Sequence, residues 1–130
     1  MKTVFRSGDT KTFSRMVRDA DLATFDSGNI HRVYATFALA RDAEWVCRLF
    51  VLEMVGPGEE AMGTFISIDH ISPALEGTEV EFTATVKSIH GQEIICDFNA
   101  RVGERIIARG IQVQKILKKE RLEKILAGIA

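Results

Sequence analysis

Three residues of this sequence carry the side chains that acyl transfer uses: Thr36 a hydroxyl, Glu44 a carboxylate and His70 an imidazole. A hydroxyl, a base and a group that orients the base are the parts needed to move an acyl group off its carrier. Two of them break apolar patterns. Glu44 lies seven after Phe37, four after Ala40, three before Cys47 and seven before Val51, which puts a carboxylate on the core-facing stripe of a helix. A buried carboxylate needs partners, or it takes up a proton. Its plainer role is a salt-bridged or interface acid. His70 shares strand parity with Thr64, Ile66, Ile68 and Ser72, so it points to the same side as the two isoleucines, while Asp69 points away. Its plainer role is a satisfied core histidine. Thr36 opens the helix two turns before Glu44, where a threonine often caps the first turn. Gly63 begins the strand of His70, and a glycine there lets a carbonyl approach a backbone N–H.

The elements that must position these groups follow from periodicity. From about Tyr34 to Met54 there is no Gly or Pro until Gly56-Pro57-Gly58, and the spacing predicts one long helix. Phe37, Ala40, Cys47, Val51 and Met54 mark its inner face; Leu39, Val46, Leu49, Phe50 and Leu52 make it apolar on other sides too. Such a helix has to be surrounded by protein. Lys11 to Asp19 reads as a first strand, and Asp26-Ser27-Gly28-Asn29 as a loop. The second half reads as an antiparallel meander over 62–72, 78–89, 92–102 and 105–116, with turns at His90-Gly91 and Gly103-Glu104. Parity slips between Ile106 and Ile107, which predicts a bulge near Arg109-Gly110. Leu117 to Ala127 reads as an amphipathic helix. The chain thus divides into a helical first half and a strand-rich second half, an α+β fold whose curved sheet wraps the helix. His31 and His90 read as surface residues, the first in a loop.

Composition narrows the function classes. The chain has 130 residues, one domain by length, and a formal net charge of -1 with no basic stripe, which excludes a phosphate-backbone binder. The two cysteines, Cys47 and Cys96, form no CxxC pair, so no metal site is expected. Free thiols and the lack of an apolar leader or membrane-length run point to a cytoplasmic protein.

Tyr34-Ala35-Thr36, Glu44-Trp45, Gly56-Pro57-Gly58-Glu59, Gly63-Thr64, His70 and Gly77 together resemble the fluoroacetyl-CoA thioesterase family of hotdog proteins, over about residues 28–116. The resemblance implies a single hotdog domain over 1–130 that works without cofactor or metal on an acyl-CoA. It also implies a homodimer, or a tetramer made of two such dimers, with the active site at the dimer interface. It makes Thr36, Glu44 and His70 the catalytic groups, with Gly63, Tyr34 and Gln114 at the substrate.

Three departures qualify what is carried over. The family has an arginine on its last strand, whereas Gly110-Ile111-Gln112-Val113-Gln114 puts the uncharged Gln114 in that place. The segment 27–33 lacks the family's phenylalanine-rich lid, so fluoroacetyl-CoA itself is not the expected substrate. The proline after His70, Pro73, is displaced. The expected function is hydrolysis of a small acyl-CoA thioester. The alternatives are a non-catalytic acyl-thioester binding module and an acyl-thioester hydratase or dehydratase.

Overall fold

In the computed structural model, which describes residues 1–26 and 28–130 and leaves aside the side chains of Asn29 and Ile30, five strands form one antiparallel sheet around a long helix. The elements run β1 (Thr10–Met16), a short 3-10 turn (Asp19–Asp21), β2 (Leu22–Phe25), β3 (Gly28–Tyr34), α1 (Thr36–Met54), β4 (Glu59–His70), β5 (Glu79–His90), β6 (Glu93–Val102), β7 (Arg105–Lys118) and α2 (Lys119–Ile129). The strand order is β1-β5-β6-β7-β4, so β1 and β4 are the free edges, and β2 with β3 forms a separate hairpin.

Alternation builds the sheet. Val80, Phe82, Ala84 and Val86 of β5 and Ile94, Cys96, Phe98 and Ala100 of β6 are buried on the inner face, as their parity predicts. Against them α1 packs Leu39, Ala43, Val46, Cys47, Phe50, Val51 and Met54. The buried stripe is therefore rotated from the one expected. Phe37 is 55% exposed, and Trp45 and Leu52 also face outward. The rotation brings Asp42 inside, 1% exposed, and leaves Glu44 on the flank, half-buried.

Three extra residues bend the sheet, each an irregularity that locally increases twist. Lys87 is the extra residue of β5 against β6, Ile107 that of β7 against β6, and Thr64 that of β4 against β7. The β7 bulge thus sits where parity slips, at Ile107, and not at Arg109-Gly110. Gly110 serves a different need: a Cβ there would meet the Ser67 carbonyl oxygen at 1.8 Å, so glycine permits a close approach of β4 to β7.

The first half holds more strand than expected. β2 and β3 flank the turn at Asp26, with Gly28 already in β3; the predicted loop's Ser27 lies outside the described residues. His31 is exposed, as expected, but in β3 and not in a loop. The C-terminal helix is displaced by two residues because β7 continues to Lys118 opposite Glu59. Among the described residues, no helix is long and apolar enough to cross a membrane.

Candidate active site

The start of α1 is fixed by backbone and by buried charge. Its N-cap is Ala35, without a side-chain cap, and the Ala35 N–H donates to the Asp21 carbonyl at 2.8 Å. Thr36, the next residue, therefore keeps its hydroxyl free of capping. That hydroxyl lies 2.8 Å from His70 Nδ1. Thr36 and His70, two of the three expected catalytic residues, thus meet within the chain, across the gap from helix to edge strand.

The neighbourhood of His70 is held from β7. The bulged Ile107 carbonyl accepts from the N–H groups of Ile71 and Ser72, at 2.8 and 3.1 Å. Arg105 donates to the Ser72 hydroxyl and to the Pro73 carbonyl. His70 Nε2 is buried and has no hydrogen-bond partner among the described residues. Burial holds the His70 pKa below the ordinary imidazole value, against a smaller upward pull from the Ser72 backbone. The ring lines a cavity of about 220 Å³ with Val33, Tyr34, Ile71, Ser72 and Pro73.

Glu44 forms the second centre. A Cβ built on Gly63 would lie 2.9 Å from one Glu44 carboxylate oxygen and 3.0 Å from the other. The carboxylate therefore rests directly on the Gly63 backbone, in space that only glycine leaves open. It makes no hydrogen bond or ion pair among the described residues. Gly63 reaches this face because of the Thr64 bulge. Gly63 pairs with Gln114, Ile66 with Gln112, Ile68 with Gly110 and His70 with Ala108, so Gly63 and His70 both stand opposite inward positions of β7. Without the extra residue, Gly63 and His70 would have opposite parity.

Within one chain the two centres stay apart. Thr36 and Glu44 are eight residues apart on α1, roughly 12 Å along the axis. Gly63 and His70 are seven apart on β4, roughly 20 Å. The structure thus brings together Thr36 with His70, and Glu44 with Gly63, but not the one pair with the other.

Tyr34 and Gln114 are buried and already committed. Tyr34, 1% exposed, donates its hydroxyl to Asp42, and burial followed by that bond raises its pKa. Gln114, fully buried, accepts from Arg48 Nη1 at 3.0 Å and donates to Gln112 Oε1 at 3.0 Å.

The sequence reading missed an ion network that anchors this end of α1. Asp42 accepts from Arg15 and Arg41, and Asp21 from Arg18 and Arg41, at 2.8 to 3.2 Å. Burial alone would raise the Asp42 pKa; Arg41, Arg15 and Tyr34 together outweigh it and hold it below the ordinary carboxylate value. Asp21 is likewise held well below the ordinary carboxylate value, first by Arg18. The signal was present, since Asp42 stands three after Leu39 and four before Val46, inside an apolar run. It was lost because the stripe was centred on Phe37.

Known proteins share this architecture. A thioesterase superfamily member from Thermus thermophilus superposes with a TM-score of 0.90 at 26% identity, over 95% of this chain and 91% of that one. A mutant of the fluoroacetyl-CoA-specific thioesterase FlK, solved in complex with fluoroacetate and CoA, superposes with a TM-score of 0.84 at 22% identity, over 91% and 99%. The fluoroacetyl-CoA thioesterase of Streptantibioticus cattleyicolor is 27% identical over 89 residues, which are 68% of this chain and 64% of that protein's length. The fold is the hotdog fold. The family model described as fluoroacetyl-CoA-specific thioesterase matches residues 17–120, and the chain belongs to that family.

Proposed function

We propose that this chain is a thioester hydrolase that cleaves a small acyl-CoA as a homodimer, with two composite sites at the interface. The observation that carries the reading is the unpaired Glu44 carboxylate lying on the Gly63 backbone. A carboxylate held in that way is poised to attack a carbonyl or to draw a proton from water. In the first case Glu44 would form an anhydride and release CoA thiolate, and water would then cleave the anhydride. In the second it would direct water onto the thioester. The bulge at Thr64 interrupts the ladder beside Gly63, so the backbone there supplies the N–H for the carbonyl oxygen as negative charge develops. His70, with Nδ1 on Thr36 and Nε2 free, handles the proton of the water or the leaving thiol.

Assembly of the two centres rests on the β4 edge. Around it stand exposed Phe37, Trp45, Met62, Phe65 and Ile66, more apolar surface than an isolated edge should carry. Two β4 edges paired antiparallel about a two-fold axis run in opposite directions. The Thr36–His70 end of one protomer then comes beside the Gly63–Glu44 end of the other. Tyr34 is assigned to the wall of the substrate cavity beside His70 and Gln114 to the support beneath Gly63. A single domain fits the one shared core, and the free buried thiols of Cys47 and Cys96 suit a reducing cytoplasm.

Thiol release from a panel of acyl-CoAs, measured on wild type and Glu44→Gln, tests the reading. Wild type should turn over, and the variant should keep its fold and lose about 10²-fold or more in kcat. Full activity in Glu44→Gln would remove Glu44 from the mechanism, and tight acyl-CoA binding without thiol release would make the protein a binding module.

A further inference from the structure

A cleft of about 490 Å³ adjoins Glu44 between β1 and α1, lined among others by Phe13, Arg15, Arg41, Glu44, Trp45 and Arg48. Three guanidinium groups line it, against the carboxylates of Asp42 and Glu44. Asp42 is spent on Arg15 and Arg41, and Asp21 behind it on Arg18 and Arg41. Arg48 is different. Its Nη1 donates to the Ala61 carbonyl and to Gln114 Oε1, both at 3.0 Å, and both acceptors are neutral. No acid is within ion-pair distance of it among the described residues. Its Nε and Nη2 hydrogens have no acceptor there either. A half-buried guanidinium anchored on neutral oxygens, with its remaining donors free, is arranged to receive an anion.

The position of Arg48 indicates which anion. It follows Glu44 by one turn, about 6 Å along the axis. A group that reaches it while the thioester carbonyl sits at Glu44 must lie a few bonds from that carbonyl. The phosphates of CoA stand at the far end of the pantetheine arm, several turns away. The acyl end is the near one, with Phe13 and Trp45 as apolar walls for its methylenes.

We infer that Arg48 selects acyl groups ending in a carboxylate, so that the preferred substrate is a short dicarboxylic acyl thioester of succinyl or glutaryl size. The inference rests on the hydrolase reading for its site, but the binding half of its test does not depend on turnover. Wild type, Arg48→Gln and Arg48→Lys are compared on butyryl-CoA, succinyl-CoA and the succinyl thioester of N-acetylcysteamine, which lacks the phosphates. Binding of the uncleavable thioethers carboxypropyl-CoA and butyl-CoA is measured by calorimetry on the same three proteins.

Wild type should favour succinyl over butyryl. Arg48→Gln should lose about tenfold or more in kcat/KM on both succinyl thioesters and little on butyryl-CoA, with Arg48→Lys in between. Carboxypropyl-CoA should bind Arg48→Gln more weakly by a similar factor, and butyl-CoA should bind all three alike. Equal losses on succinyl and butyryl substrates would make Arg48 a structural anchor and overturn the inference. So would a loss that follows CoA and not the acyl end, or no loss at all. Arg48-dependent binding of carboxypropyl-CoA without cleavage of any thioester would leave the anion site standing and remove the hydrolase reading.

Discussion

A methyl group on Gly63 would stand 2.9 Å from a Glu44 carboxylate oxygen, closer than side chains tolerate. The obstacle is the end of a flexible side chain and not backbone, so the fold can absorb the substitution and the carboxylate cannot stay where it is. Gly63 is also not among the positive-φ glycines, so alanine there adds no backbone strain. Gly63→Ala should keep the melting temperature within a few degrees and lower kcat by about tenfold or more. A variant as active as wild type would show that the placement of Glu44 over this glycine does not matter to turnover.

The composite site makes a prediction about proton affinity. In the chain alone, burial lowers the His70 pKa, and among the described residues no carboxylate raises it. If Glu44 of a second protomer faces His70, that charge favours the imidazolium and pulls the pKa back up. Removing it in Glu44→Gln should then shift the His70 titration to lower pH, as followed by NMR of the ring protons. Identical titrations in the two proteins would mean that the centres remain apart in the assembly.

Edge pairing can be broken from outside the chemistry. Phe65 is 55% exposed on β4. Phe65→Lys places a charge on that edge, and lysine on edges opposes strand pairing. Analytical ultracentrifugation at one concentration should show a dimer for wild type and a monomer for the variant, with kcat falling alongside. A fully active monomer would exclude an active site shared across β4.

Asp42→Asn removes the charge that two guanidiniums and a buried tyrosine hydroxyl share. The expected cost is about 2–3 kcal/mol, below that of a fully buried pair because Arg41 reaches water. For a domain of this size that is a fall of roughly 10 °C in melting temperature. Since the Asp42 pKa is lowered by folding, its contribution is complete above the unfolded value of about 3.9 and is lost as pH falls below it. The gap between variant and wild type should therefore close in acid. A pH-independent gap would assign the loss to packing.

The meander was legible because β5 and β6 alternate over ten or more residues, and α1 because nothing within it breaks a helix. The β2–β3 hairpin was not. β2 has four residues, too few to show a period, and Gly28 and Asn29 signal a turn whether or not a strand begins there. Glu44 and His70 were legible as polar residues against an apolar pattern and Thr36 by its place at the helix start; in the structure Thr36 meets His70 and Glu44 lies on Gly63. What the pattern could not show was which pairs. Parity counted along β4 groups His70 with Thr64, and only the register against β7 shows that Gly63 takes that place. Asp42 was hidden by a stripe drawn one step around the helix, with Phe37 as its marker. Phe37 is apolar but exposed, with its ring against Phe25.

The bulge at Thr64 makes β4 a strand whose length matters more than one of its residues. Thr64 has no partner across the ladder, so its side chain can be exchanged with little consequence. Deleting it would be another matter. The half of the strand carrying Gly63 would have to turn over relative to the half carrying His70, and Glu44 would lose the bare backbone it rests on. Variation in this segment should therefore appear as substitution, and a gap of one residue should be absent from sequences that keep Gly63 and His70 together.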